Sequence, residues 1–327
     1  MNKEQSDQDV VLIGLGGAGI KTMLALRALI ENVELSVHGS RENSFRLLAI
    51  DSYNLTQEYF RDVEEEELEG IHLSQKEHLV LLHAGSENPW DRVNKDANSN
   101  ISEAIRLLSR RVFPMGMAAP VRSDYEAMIY VSRERMKQAI RDFLKNSEES
   151  KKDSTRPMKL IIATSLIGDT GSLSYLALLE ILNELSEEIR CESIDAVLFG
   201  PDIFIGLFPP QNLHDAKYLA VVNSISNFCF KEGPKRIVPN QYLISLDLGT
   251  SMHQLPRFAI FKEMAKKAHE LIFEESVSES RVQDDGGDSI IEMVPLDLEK
   301  CLEIRNLFLH RLSADRHFSS LVGKYSS

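Results

Sequence analysis

The segment VVLIGLGGAGIKT, from Val10 to Thr22, constrains the fold more than any other part of the sequence. An apolar run typical of a short buried strand, predicted over Val10–Ile13, leads into four glycines, and apolar residues at helical spacing follow. In such a strand–turn–helix unit, glycines let backbone N–H groups approach a phosphate closely, and the start of the helix adds its dipole. The segment therefore predicts an α/β fold with a phosphate-binding turn, although a tight turn without a ligand has the same pattern.

Each residue of this turn has a predicted role in the nucleotide site. A tight turn, phosphate contact by the backbone, and close packing of the helix on the strand are the three roles that glycines take in such motifs. In chain order, the site residues assigned to them are Gly14 for the turn, Gly16, Gly17 and Ala18 for phosphate contact, and Gly19 for helix packing.

The second predicted strand, SFRLLAID, ends in Asp51. In a dinucleotide-binding fold an acid at this point accepts the ribose hydroxyls, about 20 residues after the glycines. The separation between Gly14 and Asp51 is longer than that, which weakens the match to a nicotinamide-binding fold. Asp51 is therefore a candidate ligand-binding residue, and a plain turn residue at a strand end remains an alternative.

A second glycine turn, within ATSLIGDTGS, follows a strand predicted at Lys159–Thr164 and precedes a helix predicted at Leu173–Leu185. A nicotinamide enzyme needs one glycine loop, whereas two loops on neighbouring strands suit a nucleoside triphosphate held from both sides. Backbone and hydroxyl donors are the groups expected to contact phosphate here. The candidate residues are Gly168, Asp169, Thr170, Gly171 and Ser172.

Strands alternate with amphipathic helices along most of the chain, which predicts a doubly wound, Rossmann-like, mainly parallel sheet. A nucleotide-binding domain is predicted over residues 1–230. A smaller α/β domain is predicted over residues 231–327, joined through a long helix around Ala216 to Phe230.

Composition excludes several classes of function. The net charge of −13 argues against a surface for nucleic acid or acidic membranes. No apolar run approaches the ~20 residues that span a bilayer, and the polar start MNKEQSDQD has no apolar signal core. The three cysteines, Cys191, Cys229 and Cys301, form no CxxC pair. These features predict a cytoplasmic, reduced protein without a protein-held metal site.

The two turns, taken with three further segments, resemble the tubulin/FtsZ superfamily, in particular its bacterial tubulin-like branch. GLGGAG is similar to the family's first loop, RLLAIDSYN to its second, and SLIGDTGSL lies where the family has GGGTGSG. FPMGMAAPVRSDYEAMIY, with Gly116 and Arg122, lies where the family has a Gly-Ala-Gly loop followed by an arginine. PPQNLHDAKYLAVVNSISNF resembles the loop and central helix that hold the base. The resemblance covers Val10 to Phe228.

The resemblance implies a bound guanine nucleotide, GTP or GDP, at an interface between subunits. It also implies head-to-tail association of the chain with itself or with a related subunit, which can generate filaments. Tyr218 would stack on the base, and Asn212 and Asn223 would read its edge. Core packing for Tyr218, and helix-surface or capping positions for the two asparagines, remain alternatives.

Two departures from the family pattern bear on hydrolysis. Asp169 replaces a glycine of the signature and would place negative charge near the phosphates, which a bound Mg²⁺ could offset. The segment FKEGPKRIVPNQ, where the family carries catalytic acids, contains only Glu232 as an acid. The expected activity is therefore nucleotide binding and assembly with weak or absent GTP hydrolysis, and no catalytic residue is assigned.

Two other interpretations stay open. The altered signature loop also suits a degenerate regulatory or structural subunit that binds no nucleotide. The first glycine turn alone also suits a nicotinamide-dependent or adenylating Rossmann enzyme, against which the second turn argues.

Overall fold

The computed structural model describes residues 9–38, 46–52, 77–80, 122–149, 158–188, 191–200, 222, 239–246, 257–273, 291–296, 303, 306 and 310. Within these ranges the strands are β1 (Asp9–Leu15), β2 (Arg46–Asp51), β3 (His78–Val80), β4 (Met158–Ser165), β5 (Cys191–Phe199), β6 (Asn240–Leu246) and β7 (Ile291–Pro295). The helices are α1 (Gly16–His38), α2 (Arg122–Glu149), α3 (Asp169–Glu184) and α4 (Arg257–Phe273).

The seven strands form one sheet in the order β3-β2-β1-β4-β5-β6-β7. All neighbouring pairs are parallel except β6 and β7, which are antiparallel. The connection through α1 runs from β1 towards β3, and the connection through α3 runs from β4 in the opposite direction. This confirms the predicted doubly wound, mainly parallel α/β fold.

Helices cover both faces of the sheet. Because parallel crossovers are right-handed, two connections running in opposite directions place α1 and α3 on opposite faces. Helix α1 packs against α4, and α2 packs against α3. Strands covered on both faces read as continuous apolar runs, and in β4 every residue except Lys159 is buried. The two central strands β1 and β4 therefore extend slightly beyond the segments predicted from their apolar runs.

The face formed by α1 and α4 carries two specific side-chain contacts. The Lys21 ammonium lies over the ring of Phe261, 5.4 Å from its centroid. The Thr22 hydroxyl donates to the carbonyl oxygen of Ala18 at 3.0 Å and approaches the Met264 sulfur at 3.8 Å. These contacts tie the helix that begins at the first glycine turn to the helix that follows β6.

On the other face, ion pairs join α2 to the end of α3 and the turn after it. The Glu184 carboxylate accepts hydrogen bonds from Arg133 and from Lys137, the latter at 2.6 Å. Glu188 pairs with Arg141 at 3.1 Å and with Lys145 at 3.0 Å. Charged side chains one helical turn apart on α2 thus contact acids one helical turn apart at the end of α3.

The strands described after residue 230 belong to the same sheet as those before it. Strand β6 pairs with β5 in the register Asp195↔Asn240, and β7 pairs with β6. Of the predicted linking helix, the described residue is Val222, which is helical and buried. The division into 1–230 and 231–327 stays a prediction, since most residues on either side of that boundary lie outside the described ranges.

None of the helices in the described ranges is long and apolar enough to cross a membrane.

Candidate functional site

The two glycine turns meet at the carboxyl ends of β1 and β4, which are neighbours in the sheet. The register pairs Leu15, the last residue of β1, with Thr164 near the end of β4. The order of the strands reverses between these two strands. In open α/β sheets, ligands bind in the crevice at such a reversal point. The sheet therefore places both sequence-predicted turns at the point where this fold class holds its ligands.

Gly16 makes the sharp change of direction in the first turn. Its φ of +63° is in the left-handed region, which glycine adopts without penalty. A Cβ on Gly16 would lie 2.9 Å from the backbone nitrogen of Gly171. The two turns thus contact each other through backbone, with no side chain between them.

Gly14 has a different role from the one predicted. It lies inside β1, and a Cβ there would lie 2.8 Å from the Cα of Ile20. The reason is that α1 begins at Gly16, earlier than the apolar spacing suggested, and its first turn packs back onto the strand. Gly14 therefore allows helix packing, and Gly16 makes the turn.

Gly19 has the packing role that the sequence indicated. A Cβ on Gly19 would lie 2.1 Å from the carbonyl oxygen of Ala163 in β4. Gly17 and Ala18 lie beside it in the first turn of α1, where both are half-buried. The backbone of this turn is thereby held against the ends of both β1 and β4.

The second turn is shorter than predicted, because α3 already begins at Asp169. The Ser172 N–H donates to the carbonyl oxygen of Gly168 at 2.9 Å, which closes the first helical turn. The connecting residues are held instead by Ser165, whose hydroxyl oxygen accepts the N–H groups of Ile167 and Gly168 at 3.3 Å each. Residues 169–172 are thus the first turn of a helix, where the helix dipole favours an anion.

Two contacts that the sequence did not reveal fix this turn between its neighbouring strands. The Thr164 hydroxyl donates to the carbonyl oxygen of Leu15 at 3.4 Å, across to β1. The Leu166 N–H donates to the carbonyl oxygen of Phe199 at 3.0 Å, across to β5. An extra methyl at Gly171 would lie 2.6 Å from the Thr164 hydroxyl oxygen, so these contacts also depend on that glycine.

Asp51 ends β2 beside this pair of turns and is buried, with 4% of its surface exposed. Its Oδ1 accepts the Ser52 N–H at 2.6 Å and faces the Ser52 hydroxyl at 3.4 Å. The Ser52 hydroxyl oxygen lies 2.9 Å from that of Thr170. The structure thus brings Asp51 and the second turn together through Ser52, a residue that the sequence analysis missed.

The two hydroxyls of the second turn differ in accessibility. Ser172 is fully buried, and its hydroxyl donates to the carbonyl oxygen of Asp169 at 3.5 Å. Thr170 is half-buried. Of the two predicted hydroxyl donors, Thr170 is therefore the one better placed to reach a ligand.

Asp169 is the first residue of α3 and is half-buried. A carboxylate in the first turn of a helix is stabilised by the dipole of that helix. The same position is the one at which a phosphate would collect the free N–H groups. The start of α3 therefore stabilises the Asp169 carboxylate, and a bound phosphate would have to share this position with it.

Several predicted site residues lie outside the described ranges and stay predictions: Gly116, Asn212, Tyr218 and Asn223. Arg122 is the first residue of α2, and its side chain is not described. Among the described residues, no group of three or more His, Cys, Asp or Glu side chains is arranged to hold a metal ion.

No family model and no curated protein matches this sequence. Several solved structures share part of its architecture. CetZ from Methanosaeta thermophila aligns over 83% of this chain and 56% of its own, with 14% identity and a TM-score of 0.46. TubZ from Bacillus thuringiensis serovar israelensis, in a GTPγS-form protofilament, aligns over 84% and 58%, with 13% identity and a TM-score of 0.43.

A third structure, CetZ1 from Haloferax volcanii as a GDP-bound monomer, aligns over 81% of this chain and 60% of its own, with 11% identity and a TM-score of 0.42. The chain thus spans less than two-thirds of the length of these proteins. At these identities and TM-scores the likeness is too distant to establish a family. The candidate site therefore rests on the sheet order and on the geometry of the two turns.

Proposed function

We propose that the chain binds a nucleoside phosphate between its two glycine turns, and that the nucleotide is GTP or GDP. The observation that carries the proposal is the backbone contact of Gly16 with Gly171 at the reversal point of the sheet. Two helices begin there, and no Cβ separates their first turns. Such a cradle of N–H groups suits phosphate oxygens.

The residues present fit this group. The first turns of α1 and α3 would supply backbone N–H groups, and Thr170 would supply a hydroxyl donor. Asp169 is the first residue of α3, and Asp51 is linked to Thr170 through the Ser52 hydroxyl. A divalent cation such as Mg²⁺, shared between a carboxylate and the phosphates, would reduce the repulsion between them.

The choice of guanine is supported by the sequence resemblance to the tubulin/FtsZ superfamily, with Tyr218, Asn212 and Asn223 as the base-reading residues of that interpretation. The GTPγS form of TubZ and the GDP-bound form of CetZ1 describe the ligands of those two proteins, not of this chain. For this chain, the guanine preference is a proposal to be measured.

We also propose that the chain associates with itself or with a related subunit and hydrolyses nucleotide slowly or not at all. Both parts follow from the resemblance, in which nucleotide lies between subunits, and from the single acid of FKEGPKRIVPNQ. A positioned acid or base is needed to activate the attacking water. Assembly stabilised by nucleotide would then persist without a hydrolytic reset.

The test is to identify by mass spectrometry any nucleotide that copurifies with the protein, and to titrate the nucleotide-free protein calorimetrically with GTP, GDP, ATP and NAD. Preferential binding of GTP or GDP supports the proposal. Tighter binding of NAD would transfer the assignment to a nicotinamide enzyme. Binding of none of the four would leave the nucleotide-free structural subunit, which Asp169 at the helix start favours.

A further inference from the structure

We propose that Asp51, Ser52 and Thr170 form a hydrogen-bond relay in which Ser52 positions the Thr170 hydroxyl to donate to a phosphate oxygen. The inference rests on the proposed function, since it names a positioning residue for that site. Ser52 would act through Thr170 and would not itself contact the nucleotide.

Two side-chain contacts of the buried Ser52 hydroxyl carry the inference. Ser52 is 2% exposed, and its hydroxyl oxygen lies 2.9 Å from the Thr170 hydroxyl oxygen. On its other side the same hydroxyl faces Asp51 Oδ1 at 3.4 Å, while the Ser52 N–H donates to that oxygen at 2.6 Å. Thr170 is half-buried, so part of this residue is accessible from outside the protein.

Each hydroxyl has one hydrogen to donate and two lone pairs to accept. If Ser52 donates to Asp51, Thr170 donates to Ser52 and has no hydrogen left for a ligand. If Ser52 donates to Thr170, the Thr170 hydrogen is free to point towards a phosphate oxygen. The relay therefore has two directions, and a bound phosphate selects the second.

Selection of this direction links parts of the sheet that are not neighbours. Ser52 follows β2, Thr170 lies in the first turn of α3 after β4, and β1 lies between those two strands. A phosphate that takes the Thr170 hydrogen fixes the Ser52 hydroxyl as donor, which removes it from Asp51. Nucleotide binding would thus change the hydrogen bonding at the end of β2 without movement of the backbone.

A relay and a merely structural hydrogen bond differ in how two substitutions combine in their effect on nucleotide affinity. Loss of a merely structural bond lowers stability whether or not nucleotide is present, and its effect adds to that of losing any phosphate contact. A relay loses its effect on affinity once the Thr170 hydroxyl is gone. A double-mutant cycle separates the two cases.

The experiment is calorimetric titration of the full chain with GDP and with GTP. The variants are Ser52→Ala, Ser52→Thr, Thr170→Val and the double variant Ser52→Ala with Thr170→Val. Ser132→Ala is the matched control, because Ser132 is equally buried at 2% exposed and lies in α2, away from both turns. Thermal unfolding of each variant without nucleotide checks that it folds.

We expect Ser52→Ala to weaken binding about tenfold, the scale of one hydrogen bond to a charged group. Ser52→Thr should restore most of the affinity, because it keeps the hydroxyl. The double variant should bind as Thr170→Val does, and Ser132→Ala should bind as the wild type does. These results would support the relay.

Unchanged affinity in a folded Ser52→Ala variant, or additive losses in the double variant, would overturn the relay while leaving nucleotide binding intact. A wild-type chain that binds neither GDP nor GTP would overturn the proposed function and the relay together.

Discussion

A Cβ placed on Gly16 would lie 2.9 Å from the backbone nitrogen of Gly171, so the two turns of this protein contact each other through backbone alone. Gly16 also has a φ of +63°. The two constraints act together, since any side chain at this point would be strained in conformation and would force the turns apart. The contact links two segments that are far apart in the sequence.

Gly16→Ala should therefore abolish nucleotide retention and lower the free energy of unfolding by about 2 kcal/mol, from strain at a positive φ and from overpacking. Gly168→Ala is the matched control for stability, because that glycine has a φ of −69° and its Cβ would meet nothing closer than 3.8 Å. Calorimetry and urea unfolding of both variants provide the measurement. Equal effects of the two substitutions would contradict the contact.

Gly19→Ala should destabilise the protein more than any other glycine substitution in the first turn, by about 3 kcal/mol. The reason is that the new methyl would lie 2.1 Å from the carbonyl oxygen of Ala163, which is backbone and cannot rotate away. Urea unfolding monitored by circular dichroism gives the value. A loss below about 1 kcal/mol would show that α1 can shift away from β4 at little cost.

Asp169→Gly should strengthen binding of GTP about tenfold and reduce its dependence on added Mg²⁺, because it removes a carboxylate from the first turn of α3. Asp169→Asn is the matched variant, since it removes the charge and retains the shape. Titration with GTP at two Mg²⁺ concentrations distinguishes the two effects. Weaker binding in both variants would mean that Asp169 organises the ligand or its cation.

The sequence predicted the central part of the fold because the apolar strands and the glycines lie close together in the chain. Strands β1, β2 and β4 and the helices after the two glycine turns follow from apolar runs and helical spacing alone. Strand β7 was not predicted: it is short, ends at Pro295, and is recognised by its antiparallel pairing with β6. That pairing depends on the whole sheet being assembled.

The sequence selected candidate site residues by their chemical type, but it did not reveal the contacts between residues that are distant in the chain. Thr170 was selected as a hydroxyl donor, but nothing in the sequence links it to Ser52, more than a hundred positions away. The start of α3 at Asp169 was also missed, since a Gly-rich segment has low helix propensity. Tertiary packing against Gly16 and Leu15 overrides that propensity.

Acid should weaken the contact between α2 and the end of α3. Hydrogen bonds from Arg133 and then from Lys137 hold the pKa of Glu184 below its ordinary value of 4.5. A lowered pKa stabilises the fold above the unfolded value, and this stabilisation is lost as pH falls through the folded value, below about 4.5. Because Glu184 is 38% exposed, solvent screening limits it to about 1 kcal/mol.

The stabilisation by the Glu184 ion pairs can be measured by urea unfolding of the wild type and of Glu184→Gln. The range from about pH 3 to about pH 7 covers the titration of carboxylates. The two curves should converge at the acidic end and separate at neutral pH. A constant difference across the range would contradict the assignment.

The ion pair between the half-buried Lys159 and the buried Asp195 should be costly to break. Asp195 is 4% exposed, lies 3.3 Å from the Lys159 ammonium, and accepts a hydrogen bond from Asn240 at 2.9 Å. Asp195→Ala removes this carboxylate from beside the Lys159 ammonium and should cost about 3 kcal/mol in unfolding free energy. Asp142→Ala, at an exposed position of α2, should change stability by less than about 0.5 kcal/mol.

A second measurement on Asp195→Ala follows from Tyr242. Burial, and then the Asp195 charge, raise the pKa of this tyrosine above its ordinary value of 10.0. Removal of the carboxylate should lower the pKa, which an absorbance titration of the tyrosines would detect. A wild-type titration curve in the variant would exclude the electrostatic contribution.

The chain should associate with itself in the presence of GTP while it hydrolyses little of the GTP. Light scattering and phosphate release, followed together at several protein concentrations with GTP, should show assembly with little released phosphate. Phosphate release that rises with concentration would contradict slow hydrolysis. A strict monomer with and without GTP would contradict association.

The antiparallel strand β7 has a consequence for the geometry of any such assembly. Lateral growth of a sheet from one molecule to the next needs a long edge with free backbone N–H and C=O groups. As described, one margin of this sheet is β3, only three residues long, and the other is β7, five residues long and ending at a proline that has no N–H. Within the described sheet, neither margin is therefore a good template for strand addition, and we expect the proposed association to use surfaces other than the sheet edges.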